Sequence, residues 1–139
     1  MPAAPPETET IFYDGHCGLC HRTVRFVLKR DSRRTFRFAP LQGTTFEQRV
    51  SAALRSSLPN SVVVLTGDGL LLTRSNAILH IYGRLGGVWS ALAAAIAIIP
   101  RPIRDAAYDF IARIRYSVFG RRSETCPVVP ANARGRFDP

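Results

Sequence analysis

The sequence predicts one α/β domain: a β-α-β-α-β-β-α core over residues 10–87, then a helical extension over 88–120. Three observations predict it. Short apolar runs at 10–13, 36–39 and 61–65, rich in β-branched and aromatic residues, read as strands. Between and after them, apolar residues recur three and four positions apart, which is the period of a helix packed on one face. A chain of 139 residues is expected to form one domain and can bury a core without a covalent staple.

Taken in order, residues 1–9 hold three of the ten prolines and little to bury, and are expected to be a disordered tail. Thr10-Ile11-Phe12-Tyr13 is the first strand, and Asp14-Gly15 breaks it, because this dipeptide favours a turn. From Cys17 the period changes. Cys20, Val24, Val27 and Leu28 share one helix face, Arg22, Arg25 and Lys29 lie on another, and the helix ends near Asp31-Ser32. Phe36 and Phe38 alternate with Arg37 and Ala39 in a second strand stopped by Pro40, so the first three elements form a parallel unit.

Phe46, Val50 and Leu54 are spaced for a single helix over 44–54. Pro59-Asn60 leads into the most strand-like run of the chain, 61–65. Gly67-Asp68-Gly69 is a hairpin turn, and 70–73 returns as its partner. Ser75 is the expected cap of a helix carrying Ala77, Ile78, Ile81, Tyr82 and Leu85, ended by Gly86-Gly87. The segment 88–99 has only Ser90 as a polar residue. As a helix it spans about 18 Å against a hydrocarbon core of about 30 Å, too short to cross a bilayer. A buried helix is expected there, with an interfacial or partner-binding segment beside Arg101 and Arg104 as the alternative. After Pro100, Ile103, Ala107, Phe110, Ile111, Ile114 and Val118 form a long apolar stripe closed by Gly120, and 121–139 reads as an irregular tail. The two added helices are expected to cover one side of the core.

Hydrophobic residues make up 46% and charged residues 21%, which is ordinary for a globular domain, but the net charge is +9. That charge favours contact with anions, including the surface of an anionic membrane. The basic residues are scattered and no recognised nucleic-acid module is visible, so nucleic acid is not the expected partner. Three cysteines are too few for a secreted disulfide framework. The N-terminus has neither the basic flank nor the apolar stretch of a signal peptide, so the expected location is the cytoplasm. There, closely spaced cysteines are usually redox-active or metal-binding.

Two of the cysteines form Cys17-Gly18-Leu19-Cys20, where the first strand meets the first helix. That element order with Cys-x-x-Cys at this junction is the arrangement of the thioredoxin-like fold. Disulfide exchange needs a thiolate and a second thiol that resolves the mixed disulfide. Cys17 at the helix N-terminus is the expected nucleophile, facing solvent, and Cys20 the resolving thiol, pointing inward with Val24 and Val27. His16 and His21 are candidate cationic modulators. Asp14 is either a turn residue or a proton acceptor for a buried thiol. Cys126 is either a third redox thiol or an unremarkable one, and His80 is expected to be structural. A bridge closing a four-residue loop makes a poor staple, which favours chemistry over structure. Two other readings stay open. Cys17, Cys20 and His21 also fit a Cys-x-x-Cys-His haem attachment or part of a Zn site, and the protein could be a basic interaction module with incidental thiols. On the redox reading, no cofactor is expected, and the partners are protein or low-molecular-weight thiols and disulfides.

With those residues in view, the sequence resembles the DCC family of predicted thiol–disulfide oxidoreductases, a domain of unknown function (393). Asp14, Cys17 and Cys20 match its Asp-Cys-Cys pattern within Tyr13-Asp14-Gly15-x-Cys17-x-x-Cys20. The resemblance continues through Pro40-Leu41-Gln42, Ser75-x-Ala77, Pro100, Arg104-Asp105-x-x-Tyr108, Arg113-x-Arg115-Tyr116, Gly120 and Cys126. It implies a thioredoxin-like fold with Asp14, Cys17 and Cys20 as site residues, and it implies no particular substrate. Thioredoxins place a proline immediately before the third strand, facing the cysteines. Here Pro59 is followed by Asn60-Ser61, so Asn60 or Ser61 is expected to face the pair instead.

Overall fold

Alternation along the strands sorts their side chains onto two faces, and both faces are buried. In the computed structural model, which describes residues 9–15, 17–31, 35–58, 62–119 and 135–138, the sheet has four strands: β1 (Glu9–Tyr13), β2 (Phe36–Pro40), β3 (Val63–Leu65) and β4 (Leu71–Thr73). Their order is β2-β1-β3-β4. β1 runs parallel to β2, with Ile11 opposite Phe38, and antiparallel to β3, while β4 returns antiparallel on β3. This mixed sheet with its helices is a thioredoxin-like α/β fold, with the C-terminal helices added to it.

One face of the sheet presents Ile11, Tyr13, Phe36, Phe38, Val62 and Val64 to the helices α1 (Gly18–Arg30) and α4 (Arg74–Leu85), which contribute Val24, Val27, Ala77 and Ile81. The other presents Phe12, Ala39, Val63 and Leu65 to Phe46 and Val50. Each fully buried apolar side chain contributes about 1.5–3 kcal/mol, so both layers stabilise the sheet.

The helix expected over 44–54 is two helices, α2 (Thr44–Arg49) and α3 (Ala52–Ser57). Val50 turns extended (φ −124°, ψ 128°) and buries its side chain, while Ser51 starts the second helix by accepting the Leu54 N–H at 3.4 Å. Burying a β-branched residue and gaining a cap outweighs continuing one helix. Ser75 does not cap α4 as expected. Its hydroxyl and N–H both turn to Asp105 of α6 (Arg101–Phe119), which thereby caps α4 from another element. α4 and α5 (Gly87–Ala97) meet at Gly86 (φ 75°) and Gly87 (φ 59°), a corner in backbone space that side chains resist. His80 pairs with Glu9 at 2.8 Å, a structural role as expected.

The segment 88–99 is helical through Ala97 but not buried. Among the residues of α5 only Ala93 falls below the surface, and Val88 and Ile98 are 72% and 83% exposed. Its apolar residues surround the helix, so one neighbour can cover only a part of them. Beside Ala93, the half-buried Trp89 packs with Tyr82 of α4 and Phe26 of α1, over which Arg30 lies at 3.9 Å. α6 packs against α1 and α4.

Both expected tails reach into the domain. Glu9 belongs to β1, and Gly135–Asp138 returns to the edge of β2, where Phe137 bridges Phe38 and Arg136 pairs with the buried Asp31. Asp31 also accepts the N–H groups of Thr35 and Phe36 at 3.0 and 2.9 Å, fixing the entry to β2. Arg136→Ala is therefore expected to lower stability by about 2 kcal/mol, the scale of a hydrogen bond to a charged group, measured by urea denaturation.

Candidate active site

β1 ends at Tyr13, and the turn that follows sets the site. The Cys17 N–H donates to the Asp14 carbonyl at 3.1 Å, which reverses the chain into α1. Cys17 has extended φ/ψ (−98°, 121°) and is the N-cap residue of α1, with its sulfur accepting the Cys20 N–H at 3.4 Å. The sulfur thus occupies the place where a serine or aspartate oxygen usually satisfies an orphan amide.

The reduced thiols shift in opposite directions. The Cys17 thiol is lowered to about 6. The chief cause is a hydrogen bond from the Cys20 thiol, joined by the Cys20 and Leu19 amides and the charge of Arg115, against an opposing effect of burial. The Cys20 thiol is pushed up, first because it donates to Cys17, then by burial and by the negative charge on Cys17. One thiolate is shared across a pair whose second member keeps its proton.

Sequence reasoning expected Cys17 to face solvent. It is instead fully buried at 0% exposure, and Cys20 is buried at 5%. The capping rotamer is the reason: a sulfur turned back over its own helix start lies inside the cluster with Tyr13, Val24 and Val62 rather than beside it. Cys20 points inward as expected and borders a cavity of about 60 Å³ together with Leu19, Thr23, Val62, Ala112 and Arg115.

Asp14 does more than turn the chain. It is fully buried, and its carboxylate accepts from Gln42 Nε2 at 2.9 Å and from Arg115 at 3.2 Å. Gln42 in turn accepts the Gly15 N–H at 2.9 Å, so this turn and the loop between β2 and α2 are tied together. Arg115 reaches the site from α6 and is itself only 7% exposed. Gln42 and Arg115 were not singled out as site residues by periodicity or spacing. The only signal for them lay in the family motifs Pro40-Leu41-Gln42 and Arg113-x-Arg115-Tyr116.

His21 is buried against Tyr13, and its Nε2 donates to the Gly15 carbonyl at 2.6 Å, which fixes that nitrogen as protonated. It braces the loop. No group of three or more His, Cys, Asp or Glu side chains placed to hold a metal occurs among the described residues. His16, Pro59, Asn60, Ser61 and Cys126 lie outside the described residues. No helix among the described residues is long and apolar enough to cross a membrane.

Known proteins share this chain's sequence along most of its length. The model of the family described as DCC1-like thiol-disulfide oxidoreductase matches residues 11–121, which include Asp14, Cys17, Cys20, Gln42 and Arg115 but not Cys126. YuxK of Bacillus subtilis, described as an uncharacterized protein, is 34% identical over 132 residues, covering 93% of each chain. The DCC family protein At1g52590, chloroplastic, of Arabidopsis thaliana is 32% identical over 116 residues, covering 84% of this chain and 67% of that one. No solved structure matches. With the cysteine pair, its strand-to-helix setting and the match over residues 11–121 agreeing, the chain belongs to the DCC1-like thiol-disulfide oxidoreductase family.

Proposed function

We propose that the protein catalyses thiol–disulfide exchange through Cys17 and Cys20, on protein or low-molecular-weight disulfides. The observation that carries this reading is the Cys17 sulfur capping α1 while hydrogen-bonded by Cys20. At a pKa of about 6, about nine-tenths of Cys17 is thiolate at pH 7, against a few per cent for an ordinary thiol. The Cys17 thiolate attacks one sulfur of the substrate disulfide. A mixed disulfide forms, the substrate S–S bond breaks, and the departing thiolate takes up a proton. Cys20, losing its proton, then attacks the Cys17 sulfur and frees the second substrate thiol. The protein pair is oxidised by two electrons and the substrate is reduced by two. A glutathione- or dithiol-type reductant restores the pair, which suits a reducing compartment such as the cytoplasm. Asp14, Gln42 and Arg115 hold the turn that carries Cys17.

The test combines turnover with titration. Hydroxyethyl disulfide or insulin reduction, coupled to excess glutathione, should depend on the protein. The alkylation rate of reduced protein by iodoacetamide should show a midpoint near pH 6. Because this thiol's pKa is depressed, its reactivity is full above the midpoint and falls about tenfold per pH unit below it. Absence of turnover on all such disulfides, together with a midpoint near 8.5, overturns the reading.

A further inference from the structure

A buried thiol pair needs a route to its substrate, and the described surface offers one on the Cys20 side. The small cavity at Cys20 shares Ile78, Tyr108 and Ile111 with a larger groove between α4, the end of α5 and the first half of α6. That groove holds about 340 Å³, within the range of small-molecule sites at roughly 300–1,000 Å³. Its further walls are apolar, including Leu79, Ile96, Ile103 and Ala107, and Ile103 is 61% exposed among the described residues. Groove and cavity therefore share a wall, and the cavity is bordered by Cys20, whose thiol is hydrogen-bonded to Cys17.

The opposite end of the groove is cationic. Arg104 lines it, held by the Ile99 carbonyl at 3.0 Å and by Asn76 at 3.5 Å, and it pairs with no carboxylate among the described residues. Its neighbour Asp105 is engaged by Ser75 and Arg101. Seven residues of α6 separate Arg104 from Ile111, a rise of about 10 Å. The arrangement thus reads cation, apolar stretch, thiol.

We propose that this groove selects the substrate: a short alkyl carboxylate bearing its disulfide at the far end, with the anion at Arg104 and the sulfurs in the Cys20 cavity. The inference rests on the exchange reaction proposed above and adds its substrate class. Burial of the alkyl chain supplies the affinity, and the charge-assisted contact at Arg104 sets the direction of binding. Chemically, the step is the same exchange. The substrate S–S bond breaks, Cys17 and Cys20 become joined, and the substrate leaves as a dithiol carboxylate carrying two electrons and the Cys20 proton from the pair, with its second proton taken from solvent.

Lipoate is the probe with these features, lipoamide lacks its charge, and hydroxyethyl disulfide lacks both charge and alkyl chain. Pre-reduced protein is mixed with each, and oxidation of the protein thiols is followed in a single turnover. Ile103→Glu should slow oxidation by lipoate and lipoamide about tenfold, and Arg104→Glu should slow lipoate about tenfold while sparing lipoamide, each a loss of about 1.4 kcal/mol. Hydroxyethyl disulfide should change less than about twofold with either variant. Rates with lipoate unaffected by both substitutions, or lowered equally for all three probes, overturn the groove proposal. Wild-type protein inert toward all three probes overturns instead the exchange reaction on which it rests.

Discussion

Cys17→Ser is expected to bring disulfide reduction down to the uncatalysed background, a fall of at least about 100-fold. A serine oxygen at the start of α1 can still cap the helix by accepting the Cys20 N–H, so the fold should survive with little change in stability. The loss then belongs to the chemistry. Cys20→Ser should behave differently. Cys17 can still attack, but nothing resolves the product, so a mixed disulfide with the substrate accumulates and is visible by mass spectrometry without reductant. Cys20→Ala, which leaves no side-chain donor, removes the chief cause of Cys17's low pKa, so its alkylation midpoint should rise well above 6. If Cys17→Ser retains full activity, or if the Cys20→Ser protein traps nothing on several disulfides, the assignment of roles is wrong.

Arg115→Met should be the most damaging single change to stability in the site, about 3–5 kcal/mol. It takes the Arg115 guanidinium away from the Asp14 carboxylate, which is at 0% exposure. Thermal unfolding should fall by roughly 10–20 °C for a chain of this size. The substitution also withdraws a positive charge that holds the Cys17 thiol down, so the alkylation midpoint should move up. The hydrogen bond from Cys20, the larger cause, stays in place, so the shift is partial. Asp14→Asn combined with Arg115→Met separates the two effects. Removing both charges should recover much of the stability, while the thiol titration stays displaced. Recovery of the titration along with stability would mean that Arg115 acts on Cys17 only through the fold.

The parts of the molecule written in short-range pattern were legible in its sequence. The alternation of Phe36 and Phe38, and the spacing of Cys20, Val24 and Val27, report which side faces the sheet, and the sheet follows from them. The Cys-x-x-Cys pair at the strand-to-helix junction was found by the same means. What short-range pattern does not encode is which distant polar group meets which. Asp14 could be recognised as a turn residue, but its carboxylate is satisfied by Gln42, 28 positions on, and Arg115, 101 positions on. Such pairs have no period and look like any other surface residues until the fold closes. The exposure of Cys17 failed for a related reason. Position at a helix start fixes the amide that the sulfur accepts, but neighbours from β1 and β3 decide whether water reaches it. The segment 88–99 failed in the opposite sense, since an apolar composition all round a helix does not supply the partners to bury it.

The bond between Asp14 and Arg115 joins the turn after β1 to the last long helix. During synthesis on a ribosome, both reactive sulfurs emerge long before the guanidinium that completes their surroundings. Until that final helix docks, the nascent Cys17 lacks part of its positive field, so its thiol titrates higher than in the folded domain. Assembly order thus delays the full ionisation of Cys17 until the last long helix is in place.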